Sequence, residues 1–203
     1  MFSHIDELSK SGSTNLPKLV LIEKGIHDEG GNYVRINISI SIVGESREHC
    51  VVIGGLQMNG NKEDDVNVSN LTLRKSKGNG VCNGYNGASV HLDNVSVENS
   101  GSYGVYVFGS KRNTMKNCNV SHSKGDGLKV GGGLMTIDGN GTTIHHNGTD
   151  AYSYVLCAAC FSSSIHLVSP LTKEMISTNN HGGRNYDGPI QTITNNNTKE
   201  EKK

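Results

Sequence analysis

The most constraining feature of this chain is a repeat. Asn70-Leu71-Thr72-Leu73, followed by Lys77-Gly78-Asn79-Gly80-Val81, returns as Asn94-Val95-Ser96-Val97 with Gly101-Ser102-Tyr103-Gly104-Val105. It returns again as Asn117-Cys118-Asn119-Val120 with Lys124-Gly125-Asp126-Gly127-Leu128. A fainter copy begins at Gly141-Thr142-Thr143-Ile144 and reaches Tyr152, so the leading residues step by 24, 23 and 24 positions. A fixed period of this size signals a solenoid, in which each unit buries its apolar face only by stacking on its neighbours.

Within each copy the inward candidates alternate: Leu71/Leu73, Val95/Val97, Cys118/Val120 and Thr142/Ile144, with Thr72, Ser96, Asn119 and Thr143 between them. A period of two with β-branched residues describes a short strand with one buried face. A second strand follows the glycine: Val81-Cys82-Asn83, Val105-Tyr106-Val107, Leu128-Lys129-Val130 and Tyr152-Ser153-Tyr154. The link carries Ser76, Ser100 or Ser123 and then Gly80, Gly104 or Gly127, where glycine is expected to supply the angles of a tight corner. No run holds a helical apolar stripe, and leucine does not recur as a leucine-rich repeat would require. A coil of two or three short strands per turn, each parallel to its equivalent in the next, fits the pattern. The expected fold is all-β: a single-stranded right-handed parallel β-helix with short terminal caps.

These Asn-x-x-Val/Ile…Gly-Val/Leu repeats resemble the right-handed parallel β-helices of the pectin-lyase-like group, which includes polysaccharide lyases, polygalacturonases, sugar epimerases and many proteins of unknown role. The resemblance spans Leu19 to Ile193 and implies a fold more than an activity. The Asn/Gly-rich style and Ser169-Pro170-Leu171-Thr172-Lys173-Glu174 are similar to uncharacterised β-helix proteins of algae and their large DNA viruses.

Composition narrows the field. Tryptophan is absent and aromatics make up 5%, a poor recipe for a globular core but enough for a narrow solenoid lined by aliphatic stacks. Basic and acidic residues balance at 19 each, without the basic excess that steers proteins to nucleic acid. No apolar run approaches a membrane span, and the start lacks the features of a signal peptide. Neither nucleic acid nor membrane is expected as a partner. The five cysteines, an odd number, read as free thiols of a reducing compartment, cytoplasmic or virion-associated.

Taken in order, residues 1–17 read as a flexible arm or cap, 18–193 as the β-helix, and 194–203 as a disordered polar tail. Leu19 to Gly25 forms a first strand and turn, Ile36 to Gly44 one long or two short strands, and Cys50 to Gly55 the next. Asn59 to Asn67 reads as a loop. After Thr149 the period blurs: Tyr152 to Phe161 is a strand or an inserted loop. Thr172 to Thr178 is a candidate turn of helix, and Pro189 to Ile193 a last strand. The segments before Leu19 and after Thr172 are candidate end covers, and a second copy docked on an uncovered end is a candidate partner.

Stacking turns the repeat into columns about 4.8 Å apart. One outward column reads Arg74, Glu98, Ser121, His145; the next reads Lys75, Asn99, His122, His146; beyond the turn come Lys77, Lys124 and Asp126. The resemblance implies that an enzyme would work along such a ridge. Candidate catalytic residues are therefore Glu98, His122, Lys124, Asp126 and His145, with Arg74, Lys75, Asn99, Asn119, Lys129 and His146 as candidate contacts to a polysaccharide. Against this, Arg74 and Glu98 suit a structural pair across adjacent coils, and the Asn and His residues suit a polar ladder. The Asp-Asp and Gly-His-Gly patterns of polygalacturonases and the Asp-Pro-His pattern of alginate epimerases are missing.

Cys157-Ala158-Ala159-Cys160 lacks the further ligands zinc needs, so buried thiols are the expectation. Glu63-Asp64-Asp65 reads as a solvated acidic turn, and the polar loop Asn179 to Tyr186 as either a binding rim or a plain loop. No cofactor or metal is assigned. The small polar columns favour a non-catalytic structural or glycan-contacting module over a carbohydrate-active enzyme, with cysteine-based metal or redox chemistry weakest.

Overall fold

The computed structural model describes residues 18–85, 87–149, 153–180 and 185–194. These wind as a right-handed parallel β-helix of about seven turns, each turn contributing one strand to each of three faces. The first face stacks Leu19–Ile22, Ile40–Gly44, residues 65–69 and 89–93, Asn113–Lys116, Gly133–Asp138, Ser163–Val168 and Ile190–Ile193. The second stacks residues 25–28, 50–53, 71–74 and 95–98, then Asn119–Ser121, Thr143–His145 and Ser177–Thr178. The third stacks residues 33–36 and 55–58, Val81–Asn83, Val105–Phe108, Leu128–Gly131, Leu156–Ala158 and Tyr186–Asp187.

The alternation written in the sequence puts every second side chain inside. Leu73, Val97, Val120 and Ile144 are column neighbours on the second face, each at most 1% exposed. Val81, Val105, Leu128 and Leu156 form the matching column on the third. Each such side chain contributes about 1.5–3 kcal/mol by leaving water, and none has an interior except the one its neighbours in adjacent coils provide.

The corners differ from the sequence expectation. Gly80, Gly104 and Gly127 are absent from the positive-φ residues; the left-handed turn is made instead by Lys75 (φ 57°), Asn99 (54°), His122 (58°) and His146 (53°). The leading asparagines do the same at the preceding corner, Asn70 at 55°, Asn94 at 53° and Asn117 at 50°, and Asn94 Nδ2 donates to Asn70 Oδ1 at 2.9 Å. Asparagine tolerates this backbone region better than most residues. The glycines are needed for space: a Cβ on Gly104 would overlap Val120 Cγ1 and lie 2.6 Å from Gly127 O.

Other boundaries move as well. Gly25–Ile36 is a strand of twelve residues that the sequence reading passed over, bent at Gly30 and Gly31. The stretch Ile36 to Gly44 is the end of one strand and the strand Ile40–Gly44, parted by a corner at Asn37–Ser39, and Cys50–Met58 runs on from the second face to the third. The loop after Asn59 ends sooner than expected, because Asp65 already pairs with Ser89. Lys173–Ile176 is the short helix, capped by Thr172 Oγ1 accepting from Met175 N. The chain beyond Thr172 is not a separate cover: Ser177–Thr178, Tyr186–Asp187 and Ile190–Ile193 supply one strand to each face of a last turn. The expectations for residues 1–17, 150–152, 181–184 and 195–203 lie outside the described residues.

Candidate functional site

The second face carries the most organised outward surface. Two columns run along it, Thr72–Ser96–Asn119–Thr143 and Arg74–Glu98–Ser121–His145, in the register the repeat implies. The polar stretch 45–49 hangs over them: Arg47 Nη1 donates to Asn117 O at 3.1 Å, and Thr72 Oγ1 donates to Arg47 O at 2.7 Å. Between this overhang and the columns lies a groove of about 400 Å³, with Arg47, Glu48, Arg74, Glu98, Asn119 and Thr143 among its lining residues.

Hydrogen bonds fix the direction of most side chains in it. Arg74 Nε and Nη2 both reach Glu98 Oε2 at 2.8 Å. Ser96 Oγ donates to Glu98 Oε1 at 2.8 Å, which uses its only proton. Ser96 must therefore accept from Asn119 Nδ2, 2.9 Å away, leaving Asn119 Oδ1 as an acceptor. That oxygen receives Thr143 Oγ1 at 3.0 Å and His145 Nε2 at 2.9 Å. His145 thus carries its proton on Nε2, and the Nδ1 lone pair faces His146 Nδ1 at 2.6 Å. The relay runs from Arg74 to His146 across four coils. Burial first, then His146 and His122, hold His145 below the usual histidine range. The His122 ring stacks on His146 with centroids 5.2 Å apart and meets His145 edge-on at 6.1 Å.

Other candidates lie apart from this groove. Lys75, Asn99 and Lys124 are exposed at the corner between the second and third faces. Asp126 is not an outward ridge residue: it is 3% exposed, and its carboxylate accepts from Tyr154 N. Lys129 stands over it on the third face, with Nζ 3.7 Å from Asp126 Oδ2 and 3.1 Å from Tyr103 Oη. Burial raises Asp126 despite Lys129. Burial also pulls Lys129 down, but Tyr103 and Asp126 outweigh it and leave the ammonium raised. Cys157, next to Lys129 in register, is pushed up to about 11 by burial and then by Asp126. Tyr103, Tyr106, Phe108 and Tyr85 continue this surface as a chain of ring contacts, with centroids 5.5, 6.4 and 4.8 Å apart.

Sequence reasoning missed Arg47 and Glu48, which reach the groove from a loop outside the repeat. It noted Thr72, Ser96 and Thr143 only as spacers, although their shared column with Asn119 was the available signal. Among the described residues no three His, Cys, Asp or Glu side chains stand as a ready metal centre, and no helix is long and apolar enough to cross a membrane.

A parallel three-faced coil with a polar groove outside one face defines a β-helix protein. The chain belongs to the right-handed β-helix family, whose description, right handed beta helix region, matches residues 54–201. No curated protein and no solved structure matches it.

Proposed function

We propose that this protein is a non-catalytic β-helix module that holds a glycan along its second face. The supporting observation is the directional relay from Arg74 to His146. It lines an open groove with donors and acceptors already oriented, and a hydroxyl-rich chain can both donate to and accept from such a surface. The cations in the groove are matched: Arg74 with Glu98, and Arg47 with Glu48 at 3.6 Å. A neutral sugar chain suits that balance.

General acid–base catalysis needs a proton-transferring group that is free to act. Glu98 has both oxygens engaged, by Arg74 and by Ser96. The competing reading, a carbohydrate-active enzyme, draws on Glu48 and Glu98 lining the same groove, since glycoside hydrolysis uses paired carboxylates.

One experiment separates the two. The protein is passed over a panel of immobilised neutral and uronate-containing glycans, and the same glycans are assayed for new reducing ends and for ultraviolet-absorbing unsaturated products. Retention that Asn119→Ala abolishes, without turnover, is the expected result. Turnover abolished by Glu98→Gln would replace the module with an enzyme, and absence of retention across the panel would remove the glycan reading.

A further inference from the structure

The histidines at the end of the relay carry more than the glycan reading uses. Three imidazoles, His122, His145 and His146, gather at the corner between the second and third faces, with centroids 4.9–6.1 Å apart. The closest approach is between His145 Nδ1 and His146 Nδ1, at 2.6 Å. Two ring nitrogens this close hold one proton between them.

The relay decides which nitrogen lacks it. Because Asn119 Oδ1 accepts from His145 Nε2, the neutral His145 ring presents an unprotonated Nδ1 toward His146. Donation of the remote ring N–H to a carbonyl is the arrangement that orients a histidine for a metal and fixes its tautomer. The shared proton then comes from His146, and moving it to His146 Nε2 would leave two lone pairs side by side.

We propose that the His145–His146 pair is a chelate site for a divalent late transition metal, in which the ion takes the place of the shared proton. The ion is held by both Nδ1 atoms, and the exposed His122 ring turns in as a third donor.

Ligand type and preferred geometry select among metals. With metal–nitrogen bonds of about 2.0–2.1 Å, two donors at a right angle sit about 2.8–3.0 Å apart, and two at a tetrahedral angle about 3.3–3.4 Å. The observed 2.6 Å is a few tenths from the first value and well short of the second. Right-angle geometry belongs to nickel(II) and copper(II), and imidazole suits both. The rings cross at 86°, so rotation about the side chains is what brings both Nδ1 lone pairs onto one ion. His122 has farther to turn, because its ring lies parallel to His146 at 4°.

Nickel(II) is the probe, because copper(II) would be consumed by the exposed Cys160 thiol. Calorimetric titration of the intact protein is expected to give one nickel(II) per chain. His145→Ala and His146→Ala should each weaken binding about tenfold or more, and Asn119→Ala, which releases the tautomer, by roughly tenfold. His122→Ala should weaken it less. Zinc(II) should bind more weakly than nickel(II). Far-ultraviolet circular dichroism checks that each variant keeps its strands, and His146→Gln serves if the alanine variant does not. Equal nickel affinity in the His145→Ala/His146→Ala double variant would overturn the site, and zinc binding tighter than nickel would overturn the right-angle geometry.

Discussion

Glu98 and Asp126 are carboxylates on adjacent faces of neighbouring coils, and they are held in opposite ways. Glu98 lies in an open groove with its side chain 22% exposed, two guanidinium nitrogens at 2.8 Å and a serine hydroxyl on its other oxygen. Asp126 is almost fully buried, accepts from one backbone N–H, and has its cation no nearer than 3.7 Å. On the second face, charge is kept at the surface and saturated with hydrogen bonds. On the third, a charge is taken out of water and only partly compensated, with tyrosine rings around the lysine that stands over it. Both outcomes rest on the same aliphatic interior. The stacks inside specify the winding, and the outward columns are left to take different chemistry on each face.

The largest effect should come from the way each face begins. Gly104→Ala would drive a methyl group into Val120 and to 2.6 Å from Gly127 O, with no flexible atom to yield, and is expected to cost about 3 kcal/mol or more. Gly141 precedes the second-face strand Thr143–His145, and its nearest contact would be Asn117 Oδ1 at 3.4 Å, so Gly141→Ala should stay within about 0.5 kcal/mol. Urea unfolding of the two variants checks the contrast. Similar losses would mean that the second face is packed as tightly at its start as the third.

That contrast also marks what was legible in the sequence. Residues about two dozen apart were readable as neighbours because the repeat preserves register: Val97 does stand over Val120, and Arg74 does pair with Glu98. Two first-face strands, residues 89–93 and Asn113–Lys116, were passed over because they hold few apolar residues: Val90 and Leu92 alone point inward in the first, and in the second buried Asn113 takes an inward place beside Met115. Asp126 was misplaced for a related reason. A glycine-rich turn gives no periodicity, so nothing in Gly125-Asp126-Gly127 tells an outward aspartate from an inward one. Arg47 and Glu48 were out of reach because a loop that crosses coils leaves no mark in a column.

Breaking the relay tests whether the second face acts as a unit. Asn119→Ala strips a donor from Ser96 and an acceptor from both Thr143 and His145, and should cost about 1–2 kcal/mol. Ser96→Ala removes the bond to Glu98, which keeps Arg74, and the acceptor of Asn119 Nδ2, and should cost about 1 kcal/mol. If the two changes combine to less than the sum of the single losses, measured in a double-mutant cycle, the relay is coupled; strict additivity would reduce it to separate contacts. On the third face, Lys129→Met keeps the aliphatic stem and removes the ammonium from Asp126 and from the Tyr103 ring. A loss of about 1 kcal/mol at neutral pH is expected, shrinking in acid as Asp126 takes up a proton.

The smallest effect is the most informative about the third face. Asp126→Asn keeps an oxygen for Tyr154 N and removes the buried charge, so its stability at neutral pH should lie within about 1 kcal/mol of the parent. The sign appears in the pH dependence. Burial raises Asp126 above its ordinary value in the folded protein, so the folded state holds its proton more tightly than the unfolded chain. The parent therefore has this contribution in full below the ordinary aspartate range and loses it as pH rises through the folded value. The asparagine variant has no such term, so the parent's stability minus the variant's should fall as pH rises from 3 to 7. A difference that instead grows with pH would mean that Lys129 outweighs the loss of water at Asp126.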